Sequence, residues 1–362
     1  MMTSRERWLA AVRMQPVDRL PFWPKLNASY PRAQKAPFND MGIDAIHDWI
    51  GSDVHVGVGR GIREIRKKTS HKTSREGNVQ RTVYTTRFAT LQAMSKFNVP
   101  SQSWHPVEFP VKTLDDVKIA IEFYSDCSYE VDGEGLEQAR ARATALGETG
   151  VTHSGVGTSP LMYWVEHLAG VETAHLLLLQ HPEEVSALFD AMSGALLRAT
   201  EIVAEHCPAD LIYFTENTST TLISPAQYRE YNLPQLRPCV EILKSRNRLV
   251  VLHMCGLLKA LLPDIDTLPV DAFEAFTSPP LANTTLLDGR TGCPNKCLIG
   301  GTNAILWTKP APRIIEQLEK DLAELPHHRG VVVTSAGVMP PLASPETIRK
   351  VCDWVKAYVP RM

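Results

Sequence analysis

The residues best suited to chemistry in this chain are His253 and Cys255, which follow the apolar run 249–252. Alternate residues of a strand share a face, so the imidazole and the thiol point the same way while Met254 points the other way. Both groups are zinc ligands. The pair therefore indicates a metal site and catalytic centre at the end of a strand. The alternative interpretation is one buried histidine and one buried cysteine.

Short apolar runs that would form the strands recur along the whole chain. Most are rich in β-branched residues, as expected of strands buried on both faces. Helices are predicted from Pro182 to about Glu205, and from Pro225, after the capping residue Ser224, toward Arg246. This alternation predicts a (β/α)8 TIM-type barrel, and no G-x-G-x-x-G follows the first run to favour a dinucleotide fold. The eight runs are 20–23, 54–58, 151–154, 211–214, 249–252, 272–276, 297–300 and 331–334.

We expect a single domain spanning residues 1–362, because no repeat or low-complexity segment marks a boundary. One segment, about 64–112, is polar and alternating. Its residues 81–88 are interpreted as a solvent-facing antiparallel strand pair. We therefore predict a β-hairpin insertion after the second barrel strand.

Composition excludes several classes of function. With 22% charged residues and a formal net charge of −2, the chain gives no electrostatic reason to expect a nucleic-acid or membrane partner. The N-terminus is charged from its start, and no window approaches the ~20 apolar residues of a membrane span. The seven cysteines have no framework spacing. We expect a cytoplasmic protein with reduced thiols.

Further polar residues follow the strands, where a (β/α)8 enzyme carries its site. Glu216 follows the fourth run and is predicted to be a catalytic carboxylate and the third zinc ligand, with a solvated loop carboxylate as the alternative. The C-x3-C pair of Cys293 and Cys297 is a weaker signal for a metal or redox site. Four residues are weaker candidates for substrate binding, with helix capping and core packing as the alternative: Asn217, Thr218, Tyr163 and Trp164.

The order of several segments along the chain resembles the uroporphyrinogen decarboxylase superfamily. The H-x-C-G sequence at 253–256 is similar to that of its zinc-dependent, corrinoid-linked methyltransferase branch. The resemblance implies a barrel that moves a methyl group to or from the corrinoid (cobalamin) of a separate corrinoid-binding protein, and it is compatible with a homodimer. The segments are 3–7 with 18–21, 110–117, 159–162, 181–185, 223–228 and 253–256.

The chain departs from this superfamily in two places. Decarboxylases carry an Arg-rich R-Q-A-G-R segment for their polyanionic substrate, whereas residues 24–32 here hold too few cations, which disfavours porphyrinogen decarboxylation. Thiol-methylating members carry a zinc cysteine in a G-C-G-x-P-P context, whereas residues 336–341 read A-G-V-M-P-P. We expect Glu216 to replace that cysteine as the third ligand, with Cys297 and then Cys293 as alternatives.

A carboxylate in place of a thiolate leaves a harder zinc ion, suited to polarising the leaving oxygen or nitrogen of a methyl donor. We therefore predict demethylation of an ether-like small molecule, with the methyl group passing to the partner's corrinoid. Two alternatives stay open. One is decarboxylation of a small acid, for which Lys25, Arg32 and Arg60 are the early basic candidates. The other is a metal-free, redox-sensing barrel without enzyme activity.

Overall fold

A computed structural model of the chain describes residues 1–99 and 103–362. The strands, in chain order, are β1 (Phe22–Trp23), β2 (Val54–Gly57), β3 (Ile62–Ile65), β4 (Ser70–Glu76), β5 (Val79–Thr85), β6 (Thr90–Asn98), β7 (Ser103–Glu108), β8 (Ser128–Val131), β9 (Gly150–Gly157), β10 (Leu211–Thr215), β11 (Leu249–His253), β12 (Ala272–Phe276), β13 (Cys297–Gly300) and β14 (Val331–Thr334).

The α-helices are α1 (Ser4–Val12), α2 (Ile43–Ile50), α3 (Leu114–Ser125), α4 (Gly133–Leu146), α5 (Pro160–Tyr163), α6 (Val171–Gln180), α7 (Pro182–His206), α8 (Pro225–Gln227), α9 (Leu233–Ser245), α10 (Leu262–Asp266), α11 (Leu286–Gly292), α12 (Ala311–Ala323) and α13 (Pro345–Ala357). π-Helical turns follow α5 (Trp164–Leu168) and α8 (Tyr228–Asn232). In the part of the chain that the structure describes, no helix has the length and apolar character needed to cross a membrane.

Eight strands form one parallel sheet in the order β1-β14-β13-β12-β11-β10-β9-β2. Each contains or overlaps one of the eight apolar runs, so the predicted (β/α)8 barrel is confirmed. The two edge strands, β1 and β2, are joined through Asp53, whose backbone N–H donates to Phe22 O at 2.8 Å and whose carboxylate accepts from Phe22 N at 2.9 Å. That buried carboxylate also pairs with Arg7 and Arg19. These contacts hold the barrel nearly closed.

The barrel has two apolar layers because consecutive strand residues face opposite sides. In β11, Leu249 and Val251 point into the barrel, where α1 also packs, while Val250 and Leu252 belong to the larger core between strands and helices. This alternation decides which side chains after each strand reach the mouth of the barrel.

The insertion follows the second barrel strand, as predicted, and is larger than a hairpin. Strands β4 to β7 form a four-stranded antiparallel sheet, and β3 pairs antiparallel with β8. The second half of the polar segment supplies two further strands, β6 and β7, which the alternation at 81–88 did not mark. The antiparallel sheet thus occupies the chain between β3 and α3.

Candidate functional site at the barrel mouth

His253 and Cys255 lie at the carboxyl end of β11 and continue the inward-facing set of Leu249 and Val251. Met254 is fully buried in the outer core. Cys255 is exposed, and His253 is partly exposed. The imidazole and thiol therefore share one face at the open end of the barrel.

His253 is held by a chain of paired charged side chains. Glu274 of β12 is in register with His253 and contacts its Nδ1, and Lys25 Nζ lies 2.9 Å from the other carboxylate oxygen. Burial would raise the pKa of Glu274, but Lys25 and His253 outweigh burial and lower it. Burial would likewise lower the pKa of His253, but the hydrogen bonds to Cys255 and Glu274 raise it to about 9. Because Glu274 occupies Nδ1, it fixes the orientation of the ring and leaves Nε2 as the nitrogen that does not contact this carboxylate.

Asn217 connects this pair to a second acidic group. The residue has a left-handed backbone (φ 45°) and is the second residue after the end of β10. Its Nδ2 donates to Glu166 Oε2 at 2.9 Å, and the Cys255 thiol donates to its Oδ1 at 3.8 Å. The predicted substrate residue Asn217 therefore lies between the thiol and a carboxyl group.

Glu166 belongs to the π-helical turn after α5, and such turns are frequent at functional sites. Burial, reinforced by the nearby Glu216 charge, raises its pKa to about 7, against the opposing effects of Asn217 and His253. Its Oε1 is buried and has no hydrogen-bond partner among the described residues. The side chain can therefore hold a proton near neutral pH, as a general acid requires.

Glu216 does not join the His253–Cys255 pair. In β10, Leu211 and Tyr213 face the barrel interior while Ile212 and Phe214 face the helices, and Glu216 continues the second set. Its fully buried carboxylate accepts from Ser159 N at 2.8 Å and from Ser159 Oγ and Asn232 Nδ2. Glu216 therefore lies on the opposite face of its strand from the His253–Cys255 pair, and the structure does not bring the predicted third ligand to that pair.

Neither alternative third ligand reaches the pair. Cys297 faces the barrel interior beside Ala272, one inward layer below Glu274. Cys293 precedes β13, and its thiol donates to Leu262 O in the outer core. Within residues 1–99 and 103–362, no group of three or more His, Cys, Asp or Glu side chains is placed to hold a metal. A catalytic zinc site has three protein ligands, so the donors here fit only two of them.

The structure does not bring the other predicted substrate residues to the His253–Cys255 pair. Thr218 is fully buried, and its Oγ1 lacks a partner in the described part of the chain. Trp164 packs in the core, and its indole N–H donates to Ala174 O at 3.2 Å. Tyr163 lines a separate cavity beside the insertion. For Trp164, the alternative interpretation of core packing holds.

Sequence reasoning missed Glu166, as well as Ser159 and Asn232, which hold Glu216. Glu166 sits in an apolar helical segment, W-V-E-H-L, where helix periodicity alone assigns no special role to a carboxylate. Its neighbour His167 lies 3.7 Å from the Glu166 carboxylate. Two adjacent titratable residues inside an otherwise apolar turn were the available signal.

The fold and site together define a (β/α)8 barrel protein whose polar centre lies at the carboxyl ends of its strands, where barrel enzymes carry their sites. Residues 110–358 match the uroporphyrinogen decarboxylase (URO-D) family, and the chain belongs to this family. The superfamily predicted from the sequence is thus confirmed.

Two similar proteins are methyltransferases from Methanosarcina mazei. A methylated-thiol–coenzyme M methyltransferase is 31% identical over 113 residues, which cover 31% of this chain and 30% of that relative. A solved methyltransferase structure covers 99% of both chains at 14% identity with a TM-score of 0.61, a likeness that supports the fold. The match to the curated relative thus spans less than a third of its length.

Proposed function

We propose that this protein transfers a methyl group from an ether-like small molecule to the corrinoid of a partner protein at the barrel mouth. The observation that carries the proposal is Glu166, a partly buried acid that holds a proton near neutral pH and is linked through Asn217 to the exposed Cys255. The family membership and the two similar methyltransferases support the same reaction class.

The acid has a direct use in this reaction. When the O–CH3 bond breaks, the bonding electron pair stays on the oxygen, and the leaving oxygen takes a proton. Glu166 carries that proton on its carboxyl group, and Asn217 Nδ2 holds the group in place through its hydrogen bond to Oε2 at 2.9 Å. The corrinoid would supply the acceptor for the methyl group. Protonation by Glu166 makes a poor leaving group into a neutral alcohol.

In this proposal, Lys25 and Glu274 position the imidazole of His253. Their ion pairs hold the imidazole toward the mouth and leave the neighbouring Cys255 exposed. Zinc at His253 and Cys255 would polarise the leaving oxygen, but the donor set lacks the third protein ligand that we expected from the sequence. No step above depends on the metal.

The loops around the mouth carry exposed apolar side chains that a macromolecular partner could contact. Exposed apolar side chains follow three consecutive barrel strands: Leu281 after β12, Ile305 after β13 and Leu342 after β14. Exposed apolar side chains that form one contiguous patch mark docking surfaces. We propose that the corrinoid-binding partner approaches from this side.

Small-acid decarboxylation is less well supported. It would need several free cations at the mouth, yet Lys25 is paired with Glu274 and Arg60 lies in the cavity beside the insertion. Arg32 is exposed after β1. The three early basic candidates therefore do not form one cluster in the described structure.

The proposal is tested with chemically reduced cobalamin as the acceptor and three donors: a methoxybenzoate, a methyl thioether and a methylamine. We expect the methoxybenzoate to be demethylated fastest. Glu166→Gln should lower its rate by about 10²-fold or more, since general acids contribute roughly 10² to 10⁴. The exposed control Glu172→Gln should retain full activity.

The thioether donor shows whether Glu166→Gln impairs only the reaction at oxygen or lowers activity in general. A thioether sulfur accepts a hydrogen bond much more weakly than an ether oxygen, so Glu166→Gln should affect thioether turnover much less than turnover of the methoxybenzoate. Equal rates for wild type and Glu166→Gln with the methoxybenzoate would refute the role of the acid. Full activity in both His253→Ala and Cys255→Ser would refute the location of the site.

A further inference from the structure

A cavity of about 420 Å³ lies beside the insertion, apart from the His253–Cys255 pair. Its lining comes from β3 to β5, α3, α7 and the loop after β9. The volume is within the range of roughly 300 to 1,000 Å³ that is usual for small-molecule sites. The proposed methyl transfer makes no use of this cavity.

Aromatic rings form much of its lining. Tyr84 and Phe123 pack edge to face with ring centroids 5.1 Å apart, and Phe123 and Tyr124 do so at 5.3 Å. Tyr124 in turn contacts Tyr163. Rings in this arrangement present both edges and faces to a bound ring.

Small aliphatic side chains of α7 complete the apolar part of the lining. Ala195 and Ala199 expose only methyl groups, with Met192 and Leu196 on the same helix. Because the two alanine side chains are short, they leave space between α7 and the aromatic rings. A flat apolar body fits such a space better than a branched one.

The charges in the cavity favour an anion. Glu64 and Arg66 pair with each other, and the Arg66 guanidinium lies over the Phe123 ring. Arg60 donates from Nη1 to Val156 O at 2.9 Å and has no carboxylate partner within the described residues. Its remaining N–H groups are therefore available to a carboxylate.

The tyrosines and the cysteine of the lining stay protonated near neutral pH. Burial raises the pKa of Tyr84, Tyr124 and Tyr163, and it raises that of Tyr129 to about 12. Burial also raises the pKa of the Cys127 thiol. These groups offer hydrogen bonds without adding negative charge.

We propose that this cavity binds an aromatic monocarboxylate of one ring, with the ring among the tyrosines and the carboxylate on Arg60. The room that remains suits ring substituents such as hydroxyl or methoxy groups. This binding proposal does not depend on the proposed methyl transfer. It is linked to the mouth through Tyr163, whose ring lies 4.9 Å from that of His167 next to Glu166.

The test is a ligand-observed NMR titration of the full chain with benzoate, benzyl alcohol and cyclohexanecarboxylate. Benzoate should bind with a dissociation constant on the order of 0.1 to 1 mM, as befits so small a ligand. Benzyl alcohol lacks the charge and cyclohexanecarboxylate lacks the flat ring. Each should bind about tenfold more weakly.

Two variants locate the binding. Arg60→Gln, at an exposed position, should weaken benzoate about tenfold and leave benzyl alcohol unchanged. Ala195→Trp should fill the cavity and abolish binding of all three, with folding checked by circular dichroism. The control Arg198→Gln changes an exposed arginine of α7 that pairs with Glu201 and should have no effect.

Three results would overturn the proposal. One is the absence of benzoate binding up to about 10 mM. Another is wild-type benzoate affinity in Arg60→Gln, a variant that removes no buried group. The third is equal affinity for benzoate and cyclohexanecarboxylate, which would show that the rings do not recognise a flat ligand.

Discussion

Replacing Glu166 by glutamine should stabilise the protein at alkaline pH much more than at acid pH. The pKa of Glu166 is raised from 4.5 to about 7 in the folded chain, chiefly by burial. Between these values the folded state binds the proton that the unfolded state has lost, so stability falls as pH rises from about 4.5 to about 7. Glutamine has no charge to bury and removes this dependence.

The size of the effect follows from the two pKa values. The cost of the ionised carboxylate reaches ~3.4 kcal/mol above pH 7 but is only ~0.8 kcal/mol at pH 5, a difference of ~2.5 kcal/mol. The side chain is 15% exposed, so solvent screening reduces the figure only modestly. We expect the stability difference between variant and wild type to grow by about 2 kcal/mol from pH 5 to pH 8.

The assay is urea unfolding followed by tryptophan fluorescence at several pH values, with Glu172→Gln as the matched control for an exposed glutamate. The difference in unfolding free energy between Glu166→Gln and wild type has a part that does not change with pH. That part includes any cost of placing an amide N–H at the unpartnered Oε1 position. The pH-dependent part isolates the carboxyl proton. A difference that is the same at pH 5 and pH 8 would refute the argument that Glu166 holds a proton near neutrality.

Asp53→Asn should lower the free energy of unfolding by about 3 kcal/mol, because Arg7 and Arg19 lose the buried charge that pairs with them at the junction of β1 and β2. Urea unfolding measures this, and a loss below about 1 kcal/mol would contradict the role of Asp53 in closing the barrel. Gly337→Cys places a thiol where an added side chain meets open space, in the loop where the sequence comparison expected the cysteine of the thiol-methylating members. Zinc retained after dialysis should rise to about one ion per chain, clearly above wild type, and equal zinc content in both would show that this loop does not complete the metal site.

The fold was largely predictable because its strongest signals are local. Buried parallel strands need continuous apolar runs, and all eight runs became barrel strands. The extent of the insertion was not predictable, because exposed antiparallel strands such as β4 carry polar residues on both faces. A polar sequence of that kind does not show how many strands it will form.

Only those site residues that continue the alternation of a strand could be placed from the sequence. The shared face of His253 and Cys255 follows from period two, and the same rule places Glu216 on the opposite face of β10 once the inward position of Tyr213 is known. Glu166 lies in a π-helical turn, where neither strand nor α-helix periodicity predicts the direction of a side chain. Its approach to Asn217 depends on tertiary packing.

The central claim is that the barrel mouth moves a methyl group from an oxygen donor to a corrinoid. A methoxybenzoate with an isotopically labelled O-methyl group, incubated with the protein and reduced cobalamin, tests it most directly by NMR of the recovered cobalamin. We predict labelled cobalamin with wild-type protein and none with His253→Ala. Unlabelled cobalamin with the wild type, or equal labelling by both proteins, would contradict the account.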